Sequence, residues 1–216
     1  MADHLEIEQK FDVDAEFERP SFASLTGVTA AAPALYHLSA TYFDTADGRL
    51  QAAKITLRRR TGGTDAGWHL KLPAGRPSAG DTAGPGGVST RQEVHEPLES
   101  GGTDGAGAPA VPARLASRVA EVTGGLPLAP IAILRTERTV VTLTGADGTL
   151  LAEIADDQVT ARRLPETSVE PLRWREVEVE VPAAIPQLQQ AVADRLLAAG
   201  ARPAGHGSKL ARLLSA

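Results

Sequence analysis

The first strand candidate limits the folds open to this chain. His4-Leu5-Glu6-Ile7-Glu8-Gln9-Lys10-Phe11 alternates, with Leu5, Ile7 and Phe11 on one side and Glu6, Glu8 and Lys10 on the other. Successive side chains of an extended chain point to opposite faces, so two carboxylates and an ammonium stand in a row. One such strand is ordinary in a half-exposed sheet. Here the pattern recurs with both signs of charge. Residues 54–60 offer Lys54, Arg58 and Arg60, residues 68–72 offer His69 and Lys71, and residues 91–96 offer Arg91, Glu93 and His95. Residues 131–144 carry Arg138 on one face and Arg135 and Glu137 on the other. Glu153 and Asp157 follow, and then Glu176, Glu178 and Glu180 alternate with Val177, Val179 and Val181.

Turn residues divide the chain into many short segments. Asp47-Gly48, Gly62-Gly63-Thr64-Asp65 and Gly145-Ala146-Asp147-Gly148 read as turns between strands at 36–43, 54–60, 68–72, 131–144 and 149–155, with a further strand near 158–163 and a last long one at 172–181. Residues 73–90 and 100–109 are rich in Gly and read as loops. Helical spacing is predicted for 16–25, started late or confined by Pro20, for 112–122, stopped by Gly124-Gly125, and for 184–199, ended by Gly200. A short helix or turn is expected at 208–214. About eight strands joined mostly by hairpins, without βαβ alternation, predict an antiparallel α+β architecture, and a closed barrel is one form it can take. With 216 residues and no internal repeat, the chain reads as one domain over 1–216.

If helices cover the apolar face of such a sheet, its charged face must turn inward. An eight-stranded barrel has room for side chains or one small ligand, and charges there must be paired, hydrated or bound to something. Like charges two residues apart on one strand face repel, so the row Glu176, Glu178, Glu180 calls for a cation. Carboxylates in a chain with no cysteine suit Mg²⁺ or Mn²⁺. Arg58, Arg60, Lys71, Arg91 and Arg138 would form a positive wall suited to phosphate oxygens. Metal, phosphate and arginine together describe phosphoryl transfer. There is no Walker glycine loop, dinucleotide fingerprint or Gly-x-Ser-x-Gly elbow. No His-x-x-x-His pair exists among the five histidines, which argues against a histidine metal site. The net charge of −5 argues against bulk nucleic-acid binding, and no apolar run is long enough for a membrane helix. An acidic start that enters a strand at once does not resemble a signal peptide, and the lack of cysteine fits the cytoplasm.

The motif Glu6-x-Glu8-x-Lys10 resembles the N-terminal signature of the CYTH superfamily, the triphosphate tunnel metalloenzymes. Tyr42-Phe43-Asp44-Thr45, Leu57-Arg58-Arg59-Arg60, Trp68-His69-Leu70-Lys71, Arg91-x-Glu93, Glu153-Ile154-Ala155-Asp156-Asp157, Arg175-Glu176-Val177-Glu178-Val179-Glu180 and Ser208-Lys209 extend the likeness over essentially the whole chain. The resemblance implies an antiparallel eight-stranded closed tunnel with helices outside. It implies a divalent-metal-dependent activity on triphosphate compounds. Glu6, Glu8, Glu176 and Glu178 would hold metal, helped by Glu153 and Asp157. Lys10, Arg58, Arg60, Lys71, Arg91, Arg138 and Lys209 would grip phosphates, and Glu6, Glu8 and Lys10 would form the catalytic row. One strand departs from the family pattern: many members carry Lys-x-Arg where this chain has Thr136-Glu137-Arg138, so either Arg135 substitutes or a contact is missing. The expectation is hydrolysis of inorganic triphosphate or a related small compound with Mg²⁺ or Mn²⁺. The alternatives are cyclisation of ATP and a non-catalytic polyphosphate- or nucleotide-binding module.

Overall fold

Eight long strands close on one another in a ring. The computed structural model describes residues 3–73, 88–103, 107, 109–165 and 170–216. Its strands are β1 (Asp3–Val13), β2 (Thr29–Ala30), β3 (Ala34–Asp44), β4 (Thr56–Thr61), β5 (Gly67–Pro73), β6 (Ser89–Glu96), β7 (Ala129–Thr144), β8 (Leu150–Arg163), β9 (Leu172–Val181) and β10 (Arg202–Pro203). Every pairing is antiparallel, and the order runs β1-β6-β5-β4-β3-β7-β8-β9. The ring is closed by β1, whose residues 7–13 pair with β9 while residues 3–8 pair with β6. Closure leaves no free edge among these strands. The short β2 and β10 attach to β7 and β1.

Apolar side chains on the outer face are covered by helices. The helix α1 (Arg49–Ala52) and the pair α2 (Ala113–Arg118) and α3 (Ala120–Thr123) lie near one half. There Leu50, Leu115 and Val119 pack on Leu57, Trp68, Leu70 and Val94. The long helix α4 (Pro186–Ala198) covers the other half, where Val192, Ala193 and Leu196 meet Ile154, Val177, Val179 and Val181. The last helix, α5 (Lys209–Ser215), does something different. Its Leu210 and Leu213 join Ala40, Tyr42, Leu134, Val159 and Ala161, which share strand parity with the charged residues. α5 therefore stoppers one end of the barrel from within. Ser208 Oγ accepts from Ala211 N at 3.1 Å at its start, and the Arg163 guanidinium donates to Leu213 O at 2.8 Å near its finish.

Several local expectations are corrected. Residues 16–25 form turns rather than a helix. Pro20 interrupts them, and Phe17 and Phe22 instead bury themselves in the outer core. The two strands expected at 149–155 and 158–163 are one, because β8 pairs without a break with β9 from Glu153 to Ala161 and stays on β7 throughout. The helix expected at 112–122 splits at Val119, whose φ of −113° leaves the helical range. Lys54 lies before β4 in a left-handed conformation and is exposed, so it takes no part in the charged face. Leu5 is 54% exposed rather than covered. Of the expected loops, 73–90 begins and ends inside strands, and 74–87 lie outside the described residues, as do 104–106 and 108 of the 100–109 loop. Among the described residues no helix is long and apolar enough to cross a membrane.

The α4 interface gives a first prediction. Leu196 is fully buried and Leu197, beside it, is 42% exposed. Leu196→Ala should lower unfolding free energy by about 2–5 kcal/mol, whereas Leu197→Ala should stay within about 0.5 kcal/mol in urea denaturation.

Candidate active site

Strand parity decides which side chains meet inside. Register pairs carry one charged set around the ring: Glu6 opposite Arg91, Glu93 opposite Lys71, His69 opposite Arg58, Arg138 opposite Asp157, Asp157 opposite Glu176, and Glu178 opposite Lys10. Lys209 enters from α5 and completes the set. Seven acids (Glu6, Glu8, Glu93, Asp157, Glu176, Glu178, Glu180) and seven bases (Lys10, Arg58, Arg60, Lys71, Arg91, Arg138, Lys209) thus share one lumen. The enclosed free space is about 60 Å³, enough for a few waters and little more, because the side chains fill it by pairing with each other.

The densest part surrounds Lys209. Its Nζ lies 2.8 Å from Asp157 Oδ2, 2.8 Å from Glu176 Oε1 and 2.8 Å from Glu178 Oε1. One oxygen from each of these carboxylates lies within 4.8 Å of the other two. Arg138 makes a fork on Asp157, at 2.8 and 2.6 Å, and reaches Glu178 Oε2 at 2.7 Å. Lys10 pairs with Glu178 and lies 3.0 Å from Glu8. Trp174 Nε1 donates to Glu176 Oε2 at 2.5 Å. Along the same lumen Lys71 pairs with Glu6, and Arg91 Nη2 lies 3.1 Å from Glu8 Oε1.

Burial and pairing pull these ionisations in opposite directions. Burial raises the Asp157 carboxyl, but Lys209 and Arg138 overcome it and hold the group below its ordinary range. Glu178 behaves alike, with Lys10, Lys209 and Arg138 outweighing desolvation. For Glu8, Lys10 and Lys71 defeat the burial cost. The ammonium groups of Lys10 and Lys209, which burial alone would lower, are raised by their carboxylates. Two groups break the pattern. Burial, then Glu6, push the Glu180 carboxyl up to about 7. Burial, then the charges of Arg58 and Arg138, push the Arg60 guanidinium down to about 9. Arg60 remains charged at neutral pH.

Some polar atoms inside lack hydrogen bonds. Among the described residues Glu6 Oε2 is buried without a hydrogen-bond partner, and so are the Nε atoms of Arg58 and Arg60. Arg58 reaches Tyr42 Oη at 3.4 Å. Buried orphans of both signs are costly to a folded protein, so their presence argues for an occupant.

Lys10, Arg58, Arg60, Lys71, Arg91, Arg138 and Lys209 all border the lumen, as do Glu6, Glu8 and Glu178. Glu176 and Asp157 are buried on the same parity and belong to the carboxylate cluster. Glu153 shares that parity, opposite Glu180, but it is exposed and does not join the cluster. Arg138 points inward, whereas Arg135 and Glu137 are exposed on the other face. Thr136 is buried on the inner side, so Arg135 does not replace a missing lysine there. Asp44, quoted above in a shared motif, is structural. Its carboxylate accepts from the N–H groups of Thr45, Leu50 and Gln51 at 2.7 to 3.0 Å and fixes the entry to α1. Sequence reasoning assigned no site role to Tyr42, Glu93 or Asp65, which also line the lumen. Alternation along β6 marks Glu93 as inward, but nothing local marks Asp65, which sits on a turn.

A closed antiparallel barrel whose lumen is lined by acids and bases together defines a class of anion- and cation-binding tunnels. The chain belongs to the CYTH family, whose domain model matches residues 4–212. It is 41% identical to two uncharacterized proteins from strains of Mycobacterium tuberculosis, MT2285 and Rv2226, over its full length. The match covers 41% of those proteins, so the chain spans about two fifths of the curated relatives it resembles. Two solved structures share its fold. One is a provisionally assigned adenylate cyclase from Bacillus halodurans (BH2851), 18% identical with a TM-score of 0.59, covering 98% of each chain. The other is HpAC1 from Hippeastrum, a provisionally assigned adenylyl cyclase described as having a dominant triphosphatase activity. It is 17% identical with a TM-score of 0.55, covering 97% of this chain and 95% of that one.

Glu180 supplies a prediction on pH. Its folded carboxyl is raised to about 7 from 4.5, so between those values the folded protein binds more protons than the unfolded chain. This contribution to stability is complete below pH 4.5 and is lost as pH rises through 7. Glu180→Gln lacks that loss. In urea titrations without divalent cations it should match wild type near pH 4.5 and exceed it at pH 8 by up to about 3 kcal/mol.

Proposed function

We propose that this chain is a divalent-metal-dependent hydrolase of small triphosphate compounds, with inorganic triphosphate the foremost substrate. The observation that carries the reading is the lumen itself: a three-carboxylate cluster at one wall, and across from it arginines whose Nε atoms are buried without hydrogen bonds. Arginine forks match phosphate oxygens in geometry and charge.

The acidic residues fit a hard divalent cation. Asp157, Glu176 and Glu178 bring three oxygens together around Lys209 Nζ, so a divalent cation bound there would take the place of that ammonium, and Glu6 would add a buried oxygen. Charge balance favours the same conclusion. With Asp65, eight acids stand against seven bases, so a polyanion entering alone would leave excess negative charge in a confined space. When bound, Mg²⁺ or Mn²⁺ would neutralise phosphate charge and act as a Lewis acid. The remaining roles fall to the chain. Arg60 and Arg138 stabilise charge on the transferred phosphoryl group, and Lys10, Arg58, Lys71, Arg91 and Lys209 hold the phosphate chain in line. Glu6 and Glu8, on the first strand, orient the attacking water together with Lys10.

Cyclisation of ATP is the less favoured reading. The lumen offers Tyr42 as its single aromatic lining residue among the described ones, and little space for a base. Incubation with triphosphate, thiamine triphosphate and ATP, each with Mg²⁺ or Mn²⁺, should release phosphate fastest from inorganic triphosphate. Cyclic AMP as the main product from ATP would overturn the reading, and tight binding without phosphate release would make the protein a binding module. Glu6→Ala should abolish metal-dependent turnover in a chain that still folds, with a lowered thermal transition because Lys71 loses its partner. Arg58→Ala should act mainly on KM, raising it roughly tenfold or more, the scale of one lost charge-assisted hydrogen bond.

A further inference from the structure

Asp65 differs from every other acid of the lumen. The seven strand-borne carboxylates are buried or half-buried within the ring. Asp65 instead sits in the turn between β4 and β5, and its side chain is 55% exposed. Its carboxylate nevertheless reaches the lumen and forms an ion pair with Arg60, whose own side chain is 5% exposed. An acid at the mouth is thus seated on a cation of the interior.

The turn is built to hold the backbone while leaving that side chain movable. Gly62 and Gly63 have φ of +79° and +74°, and a Cβ on Gly62 would lie 2.1 Å from His37 O. The main-chain oxygen of Asp65 is held by His69 Nε2 at 3.0 Å. The backbone is therefore pinned at both sides, and release of Arg60 requires only a rotation of the Asp65 side chain. Arg60 itself is crowded by Arg58 and Arg138 and has an Nε without a hydrogen bond. Asp65 stands on Arg60 Nη2, so in so small a free space an incoming anion meets its carboxylate before it can pair with that nitrogen.

We propose that Asp65 is a displaceable carboxylate that occupies the anion seat of Arg60 in the ligand-free protein and competes with the substrate for it. The inference rests on the reading of the lumen as a phosphate-chain site. Asp65 compensates Arg60 while the lumen is empty of ligand, and it yields to an anion of higher charge density. It is in this sense a specificity residue: a singly charged anion gains nothing by replacing it, whereas a polyphosphate end does.

The test is binding of inorganic triphosphate, measured by calorimetry without divalent cations so that no turnover intervenes. Asp65→Asn should tighten the dissociation constant roughly fivefold, the scale of one partly exposed ion pair. Asp65→Glu should return it towards the wild-type value, and Asp147→Asn, on a distant exposed turn, should leave it unchanged. In an Arg60→Gln background Asp65→Asn should have no effect. Equal or weaker binding by Asp65→Asn, or the same gain without Arg60, would overturn the proposal. Failure of wild type and Asp65→Asn alike to bind triphosphate would sink the functional reading instead. The role of Asp65 is then decided by the rate at which phenylglyoxal modifies Arg60, followed by mass spectrometry. That rate should rise in Asp65→Asn, and an unchanged rate counts against the proposal.

Discussion

So many ionisable side chains inside one barrel are tolerable because most of them have an opposite charge close by. Transfer of a lone carboxylate or ammonium from water to the interior costs several kcal/mol, and a pair recovers this only with good geometry. The register provides that geometry: Glu178 faces Lys10 across the β1–β9 seam, and Asp157 faces Arg138 across β7–β8. Lys209 then draws three carboxylates together from a helix rather than a strand. The same period-two alternation that turns charge inward turns Val177, Val179 and Val181 outward onto α4. A one-residue slip in any strand would exchange the two sets, so the packing of the outer layer and the chemistry of the lumen enforce a single register.

Alternation was legible wherever a strand carried charge. β1, β5, β6 and β9 lie close to where their patterns place them, and the alternating charged rows read on them turn inside. β8 was harder to read. Asp156-Asp157-Gln158 looks like a break, yet Asp157 is sealed against Arg138 while Asp156 is held on the outer face by Arg175 at 2.9 Å. A charged pair of neighbours serves two environments, which spacing alone does not reveal. Residues 16–25 failed for another reason: Phe17 and Phe22 are fastened by the distant Val141, Val177 and Leu196 cluster, a tertiary pull that overrides local periodicity. Asp65 was invisible because its role depends on where a hairpin tip folds back. Alternation already put Arg135 and Arg138 on opposite faces, but which face turns inward is decided only by pairing with β3 and β8.

Likeness of fold and likeness of chemistry are separate matters here. The solved relatives at 17–18% identity establish the barrel, while any activity must come from the lumen residues of this chain. Thr136 shows why the distinction counts. It is buried on the inner face of β7, on the same side as Arg138, and brings no charge of its own, so the ammonium beside Arg138 comes from Lys209 on α5. Asp44 makes the converse point, since a residue in a shared motif serves the backbone of α1 and not the lumen.

The seam between β1 and β9 has a consequence for how the barrel comes into being. Lys10 and Glu178, which face each other there, are 168 residues apart in the chain. Pairings of such long range must overcome a large loop-closure entropy before any compensating contact forms, and topologies rich in them fold slowly. Until the seam shuts and α5 arrives, the glutamates of β9 have neither Lys10 nor Lys209 beside them. Glu176, Glu178 and Glu180 are made long after Lys10 and shortly before Lys209, so their mutual repulsion is relieved only when the seam shuts and α5 packs.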